Sequence, residues 1–342
     1  MKVLSLFDGI SCGMVALERA GIPVERYVAY EIDKYAIQVS QKNYPDIEHC
    51  GDVTKADFTQ YEGFDLLIGG SPCTFWSIAK KNREVTPDGI GGQLFMHYVR
   101  ALKESKCKWF LYENNYSIHK DIKAFISSQL GVEPIMINSA LVSGQQRKRC
   151  YWTNIPNVIQ PNDKNILLKD ILESDGFDST MIAESLIVPE ATKKGYVEVN
   201  VGECVDLTHL NSKTRRGRSM KDKSNCLTTS IQFYQYLGKE SKPVRLGQIG
   251  KGGQRQRIYS IQGKSITLSA NGGGQGAKTG LYKIDLPDGD YIIRKLTPVE
   301  AERLQTLPDN YTAGISDTQR YKCIGNGWTV DVIAHILSGL NA

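Results

Sequence analysis

The hydrophobic positions of the first half of the chain follow two alternating rhythms. Short apolar runs bounded by glycine or charge recur at KVLSLF (2–7), YVAYEID (27–33), FDLLIGG (64–70), KWFLYEN (108–114), EPIMINSALV (133–142) and RCYWTNI (149–155). Each predicts a strand. Between them lie stretches of helical spacing: one running to Ala20, then KYAIQVSQKNY (34–44), QLFMHYVRALKES (93–105) and IKAFISSQL (122–130). Alternating strands and helices predict a doubly wound, mostly parallel sheet of Rossmann-like α/β type. The rhythm stops near residue 170. Residues 171–293 hold short β-like pieces and many glycines, NGGGQG (271–276) among them, without helical periodicity. Helical chemistry resumes at TPVEAERLQTLP (297–308) and VDVIAHILSGL (330–340). The pattern therefore predicts an α/β domain over 1–170 and 294–342, split by a smaller β-rich domain at 171–293.

Composition narrows the class. The 342 residues are 41% hydrophobic and 23% charged, the mix of a globular protein. No apolar run approaches the roughly 18 residues a membrane helix needs, and the opening MKVLSLFDG breaks its apolar stretch too early for a signal peptide. A cytoplasmic protein is expected, with no membrane partner. The eight cysteines contain no CxxC pair, so neither a zinc site nor a disulfide framework is expected. The net charge of +5 is unevenly spread. Ser241–Ile284 has no acid but eight basic residues, Arg255 and Arg257 among them, and KTRRGRSMKDK (213–223), with Arg215 and Arg216, carries six basic residues against one acid. Such excess attracts a polyanion, and nucleic acid is the expected partner.

Candidate chemistry gathers at the carboxyl ends of the predicted strands, where open parallel sheets bind ligands. After the first strand, FDGISCG (7–13) supplies glycines for close backbone approach, but not in dinucleotide GxGxxG spacing. Glu31, after the second strand, suits ribose hydroxyls, and Asp52 suits an adenine amino group. Together they describe an adenosine-type cofactor site. Cys73 follows Pro72 in a glycine-led turn, GGSPC (69–73), which places a nucleophile at the same edge. Glu113, in YENN (112–115), ends the next strand, and Arg147 and Arg149 follow in QQRKR (145–149).

This constellation resembles the DNA (cytosine-5) methyltransferase family of bacterial or bacteriophage type. The resemblance rests on LFDGISCG, YEID, GGSPC, ENN, QQRKR, RKLTPVEAERLQTLPDNY (294–311) and CIGNGWTV (323–330), in the family's order across nearly the whole chain. Departures are Ser11 and Cys12 in place of a second glycine pair, Ser71 for the first proline of Pro-Pro-Cys, Thr74 for glutamine, bulky Phe75 and Trp76, and Asn115 for valine. The resemblance implies a site-specific enzyme that extrudes a cytosine from double-stranded DNA, adds Cys73 to C6 and transfers a methyl group from S-adenosyl-L-methionine to C5. Glu113 would protonate or hydrogen-bond N3, and Arg147 and Arg149 would complete the catalytic set. Phe7 and Ile32 would pack on adenine, Glu31 hold ribose and Asp52 the amino group. Asp8, Gly9, Ser11, Val53, Ser71, Asn326 and Val330 would complete the cofactor site. Ser77, Arg215, Arg216, Arg255, Arg257 and Thr267 would meet DNA, Thr267 with Leu268 matching the Thr-Leu pair of the target recognition domain. Thr74–Gly92 would form a lid over the extruded base. A separately acting cognate restriction endonuclease is an allowed partner, and no metal is implied. Two readings stay open beside this one: a tRNA cytosine-5 methyltransferase, against which the long basic insertion argues, and a catalytically silent DNA-binding relative.

Overall fold

The structure is a computed structural model. It describes residues 1–76, 82–173, 185–200, 204–206, 214, 216, 218–220, 233–235, 243, 245–248, 257–268, 281–285, 291–294 and 296–341. The chain divides into a larger unit, Met1–Ile166, Ile266–Lys278 and Thr297–Ala342, and a smaller one, Leu167–Ser265 and Thr279–Leu296.

The larger unit follows the order β1 (Lys2–Leu6), α1 (Cys12–Arg19), β2 (Arg26–Tyr30), α2 (Lys34–Asn43), β3 (Glu48–His49), β4 (Leu66–Gly69), α3 (Ile90–Ser105), β5 (Trp109–Asn115), α4 (Lys120–Leu130), β6 (Ile135–Asn138) and β7 (Lys148–Thr153). After the insertion come α5 (Pro298–Leu304), α6 (Asp317–Asn326) and α7 (Val330–Leu337). The seven strands form one sheet in the order β3-β2-β1-β4-β5-β7-β6. β1 to β5 are parallel neighbours, whereas β7 runs antiparallel to both β5 and β6. The doubly wound, mostly parallel sheet expected from the sequence is thus present. Two elements were not visible in the pattern: β3 is only two residues long, and α6 lies in a polar stretch with few apolar positions.

Both faces of the sheet are buried, which is why its strands read as nearly continuous apolar runs. Alternation along each strand divides the side chains between two cores. Val3, Leu66, Ile68 and Leu111 pack in a core that also takes Val15, Leu17, Val39 and Ile333 from α1, α2 and α7. Leu4, Leu6, Leu67, Phe110 and Tyr112 face the other way, against Phe95, Tyr98 and Ile122 from α3 and α4. Local signals set the helix ends. Asp33 caps α2 by accepting from the Tyr35 N–H at 3.0 Å. Thr297 and Glu300 form a reciprocal capping box at the start of α5, with Pro298 in its first turn. α3 begins earlier than its apolar spacing suggests. Gly91 and Gly92 belong to the helix and not to the preceding loop, because a Cβ on Gly91 would meet the Trp76 indole at 2.4 Å and one on Gly92 the Pro87 carbonyl at 1.7 Å.

The described part of the smaller unit is β-structured. Ser185–Pro189 pairs antiparallel with Tyr196–Asn200. Cys204–Asp206 lies between Ser219–Met220 and Phe233–Gln235. Arg245–Gln248, Arg257–Ser260, Leu281–Asp285 and Tyr291–Arg294 form a four-stranded sheet. In this last sheet the Ser265 and Tyr282 hydroxyls meet at 2.9 Å in the interior.

Candidate active site

The strand order reverses between β1 and β4, and this opens a crevice at the carboxyl ends of the strands. A cavity of about 260 Å³ occupies it. The β1–α1 turn forms one wall. Phe7 and Ser11 hold left-handed backbone, at φ 58°, on either side of Gly9 at φ 62°. For a non-glycine residue that conformation is strained by about 1–3 kcal/mol. It is tied down by Asp8, whose carboxylate accepts from the hydroxyls of Ser5 (2.6 Å), Tyr27 (2.7 Å) and Ser11 (2.5 Å). The turn also points the Gly9 N–H at Glu31 Oε2, 2.9 Å away.

Glu31 Oε1 accepts from the N–H groups of Ile32 and Asp33, each at 2.8 Å. Burial pushes its carboxyl pKa up, and the backbone donors partly oppose the shift. Beside it Ile32 is 75% exposed on the cavity wall, and Phe7 lines the same space. Asp52 accepts from both N–H and Oγ1 of Thr54 at 2.9 Å, and these bonds lower its pKa. Arg100 steadies this turn by donating to the carbonyls of Val53 and Ala56 at 3.3 and 3.0 Å while lying over the Phe58 ring. An acceptor pair with apolar faces between them fits an adenosine group.

At the other end of the cavity, Gly70, Ser71, Pro72 and Thr74 form the rim. The Ser71 and Tyr112 hydroxyls meet at 2.6 Å below it. Cys73 opens a short 3-10 turn, Cys73–Phe75, and its side chain lies outside the described part of the structure. Glu113 is held from two directions. Arg149 Nε lies 2.9 Å from its Oε1, both side chains being nearly buried, and Trp328 Nε1 donates to its Oε2 at 3.0 Å. β5 and β7 pair with Asn115 opposite Arg149, so Glu113 and Arg149 are diagonal neighbours on one face. Arg149 also donates to Asn115 Oδ1 at 2.9 Å. Gly70 completes the fit, because a Cβ there would meet the Glu113 carbonyl at 2.9 Å. Two further thiols, Cys12 and Cys323, line the cavity, and burial pushes each up to about 12, so both stay protonated and unreactive.

The residues singled out in the sequence do not all converge. Phe7, Asp8, Gly9, Glu31, Ile32, Asp52, Val53, Ser71, Glu113, Arg147, Arg149 and Asn326 line the cavity. Ser11 and Val330 do not: Ser11 is buried in the Asp8–Ser40 hydroxyl network, and Val330 sits in the core at the start of α7. Arg147 is also buried, donating to the carbonyls of Leu268 (3.3 Å), Gly325 (3.2 Å) and Gly327 (3.0 Å). It fastens the segment that carries Trp328, and Gln305 reinforces it by donating to Ile324 and Gly327. Thr267 donates its hydroxyl to the Gln146 carbonyl within the larger unit. Arg216 is exposed and donates to the Ala191 carbonyl, and Arg257 opens a strand. Ser77, Arg215 and Arg255 lie outside the described residues. Of the loop proposed as a lid, Glu84 accepts from the N–H groups of Ile90 and Gly91 at the start of α3, each at 3.1 Å. Trp328 was not among the residues singled out, although an indole after GNG in CIGNGWTV was the visible signal. Among the described residues no group of three or more His, Cys, Asp or Glu is placed to hold a metal, and no helix is long and apolar enough to cross a membrane.

Comparison with known proteins identifies relatives of the chain and of its fold. Residues 1–341 match the family model described as C-5 cytosine-specific DNA methylase. The chain is 30% identical over 346 residues to the Type II methyltransferase M.HhaI of Haemophilus parahaemolyticus, covering 98% of this chain and 93% of that one. It is 28% identical to the Type II methyltransferase M1.ScrFI of Lactococcus lactis subsp. cremoris, covering 97% and 76%. The orphan methyltransferase M.SPRI of Bacillus phage SPR is 27% identical, with 99% and 97% covered. Among solved structures, a putative DNA modification methyltransferase from an E. coli prophage superposes with a TM-score of 0.59 at 20% identity, covering 100% and 98%. The S. pombe Dnmt2 methyltransferase does so at 0.58 and 14%, covering all of both chains. At these identities the structures share the fold.

The two arginines are expected to separate by experiment. Arg147→Met strands buried carbonyls, which costs about 1–3 kcal/mol for each group left unpaired. It should lower the urea unfolding midpoint markedly. Arg149→Met also lowers it, by leaving the nearly buried Glu113 carboxylate without its cation, but only that loss should be recovered by adding Glu113→Gln. Equal midpoints for wild type and Arg147→Met would contradict the fastening role.

Proposed function

The chain belongs to the family of C-5 cytosine-specific DNA methylases and is a site-specific DNA cytosine-5 methyltransferase; from that premise we propose which of its residues carry each part of the reaction. The observation that supports the assignment most is Glu113, clamped by Arg149 and Trp328 at one end of a cavity whose rim is the turn entering Cys73.

Cytosine C5 is a weak carbon nucleophile. Addition of the Cys73 thiolate to C6 forms an S–C6 bond and pushes the ring electrons toward C5, N3 and O2. Glu113, taking up a proton from solvent as the base enters, presents it at N3, so negative charge does not accumulate on the ring. Arg149 fixes the carboxyl group's orientation and faces the polar edge of the base. S-adenosylmethionine, when bound, supplies the methyl group that C5 accepts. A base then removes the C5 proton, the S–C6 bond breaks, and Cys73 leaves as thiolate with the aromatic ring restored. Glu31 would accept from the ribose hydroxyls, Asp52 from the adenine amino group, and Phe7 and Ile32 would supply apolar faces for the purine. Base extrusion, costing a few kcal/mol, brings the stacked cytosine to this rim. Choice of site belongs to the smaller unit, whose basic strands include Arg257, with Arg215, Arg216 and Arg255 in its sequence.

Two outcomes test these assignments. Duplex DNA carrying 5-fluorocytosine at the target should leave a covalent protein–DNA adduct in the presence of methyl donor, because the C5 fluorine cannot be removed as a proton. Cys73→Ala should form none, and an adduct that persists in this variant refutes the nucleophile.

The second outcome concerns Glu31. Its buried carboxyl is raised above the ordinary value of about 4.3, and a ribose diol is best bound by the ionised form. Calorimetric affinity for S-adenosylmethionine should therefore be full above the raised pKa. It should weaken as pH falls through that value, which lies higher than for an unperturbed glutamate. Glu31→Gln should bind more weakly near neutrality and stay flat over the same interval. Parallel curves for the two proteins would remove Glu31 from the cofactor site.

A further inference from the structure

Tyr116 follows the last residue of β5 and is 42% exposed. Two ammonium groups converge on its ring: Lys123 Nζ lies 4.3 Å from the centroid and Lys148 Nζ 5.9 Å from it. Lys148 stands between Arg147 and Arg149 at the start of β7, and Lys123 lies in the first turn of α4. Among the described residues, neither ammonium has a carboxylate within ion-pair distance.

A cation–π contact contributes about 0.5–1 kcal/mol at an exposed ring, which explains one ammonium at Tyr116 but not a second beside it. Two like charges on one ring repel each other. Lys123 also sits at the helix end where the dipole disfavours a cation. The cluster lies at the same strand end but on the other face of the sheet: Lys148 alternates with Arg149 along β7, and Asn115, which precedes Tyr116, accepts from Arg149, the partner of Glu113. A base extruded toward Glu113 brings its own flanking phosphates to the surface around that edge. Lysine binds a phosphate as a point charge without reading the base.

We propose that Lys123 and Lys148, spaced by Tyr116, grip one DNA backbone phosphate beside the extruded cytosine. The site is sequence-independent and separate from the recognition surface of the smaller unit. The proposal rests on the reading of this protein as a DNA methyltransferase, with Glu113 facing the target base.

The test is duplex affinity against salt concentration for wild type, Lys123→Gln/Lys148→Gln and Lys123→Arg/Lys148→Arg. A further double variant, Lys103→Gln/Lys108→Gln, removes equal charge at the opposite end of β5. Each neutralised phosphate contributes about 0.9 to the slope of log affinity against log salt. The Lys123/Lys148 glutamine pair should flatten that slope by roughly one and weaken all duplexes alike, while the sites methylated stay the same. The arginine pair should restore the slope, and the Lys103/Lys108 pair should leave it near wild type. An unchanged slope overturns the proposal. So does equal flattening by the Lys103/Lys108 pair, or a loss confined to one duplex sequence, which would mean base readout. Failure of the underlying reading looks different: the wild-type protein then shows no salt-dependent duplex affinity at all, and the proposal falls with it.

Discussion

The arrangement of this protein depends on how Glu113 is held. A carboxylate that is mostly buried must be paired, and this one is paired twice, by the Arg149 guanidinium and the Trp328 indole. Such pairs contribute little net stability, because desolvation offsets most of the attraction. What they supply is a fixed direction for the carboxyl group. The two partners lie far apart in the sequence, one before the insertion and one after it. Arg149 requires a strand inserted antiparallel between β5 and β6. Trp328 requires the C-terminal segment to return across the insertion and lock onto the sheet. Arg147 and Gln305 make that lock by hydrogen-bonding the backbone on both sides of Asn326.

The cofactor end follows a different logic. There strained backbone forms the cavity wall, and side chains hold it in that shape. Asp8 gathers three hydroxyls to fix the left-handed turn, and the turn delivers an N–H to Glu31. Glu31 is thus oriented before any ligand arrives, which reduces the ordering needed on binding. The thiols of Cys12 and Cys323, kept protonated by burial, line this space as inert walls.

Much of this was legible in the sequence, for physical reasons. Strands buried on both faces announce themselves as apolar runs, so β1, β2, β4 and β5 were plain. Their order placed Glu31, Asp52 and Glu113 at one edge. The direction of β7 was not legible, because an antiparallel strand covered on both faces has the same composition as a parallel one. α6 was hidden because its buried positions are few, Cys323, Ile324 and Gly325. Ser11 read as a ligand contact because its motif fits one, yet its hydroxyl faces inward to Asp8 and Ser40. The glycines before α3 read as loop, although two of them lie inside the helix where Trp76 and Pro87 leave no room for a side chain. Trp328 stood in a motif that the sequence displayed, but its pairing with Glu113 was not legible, because the contact spans 215 residues.

The most direct test of the clamp is Trp328→Phe, which keeps the aromatic ring and removes only the N–H that reaches Glu113. A hydrogen bond to a charged group is worth about 1.5–3 kcal/mol, so single-turnover methyl transfer to a duplex target should slow by roughly tenfold or more. Affinity for cofactor and for DNA should stay near the wild-type values. A variant that transfers methyl at the wild-type rate would show that Glu113 needs no second anchor, and the central role given to the clamp would be wrong.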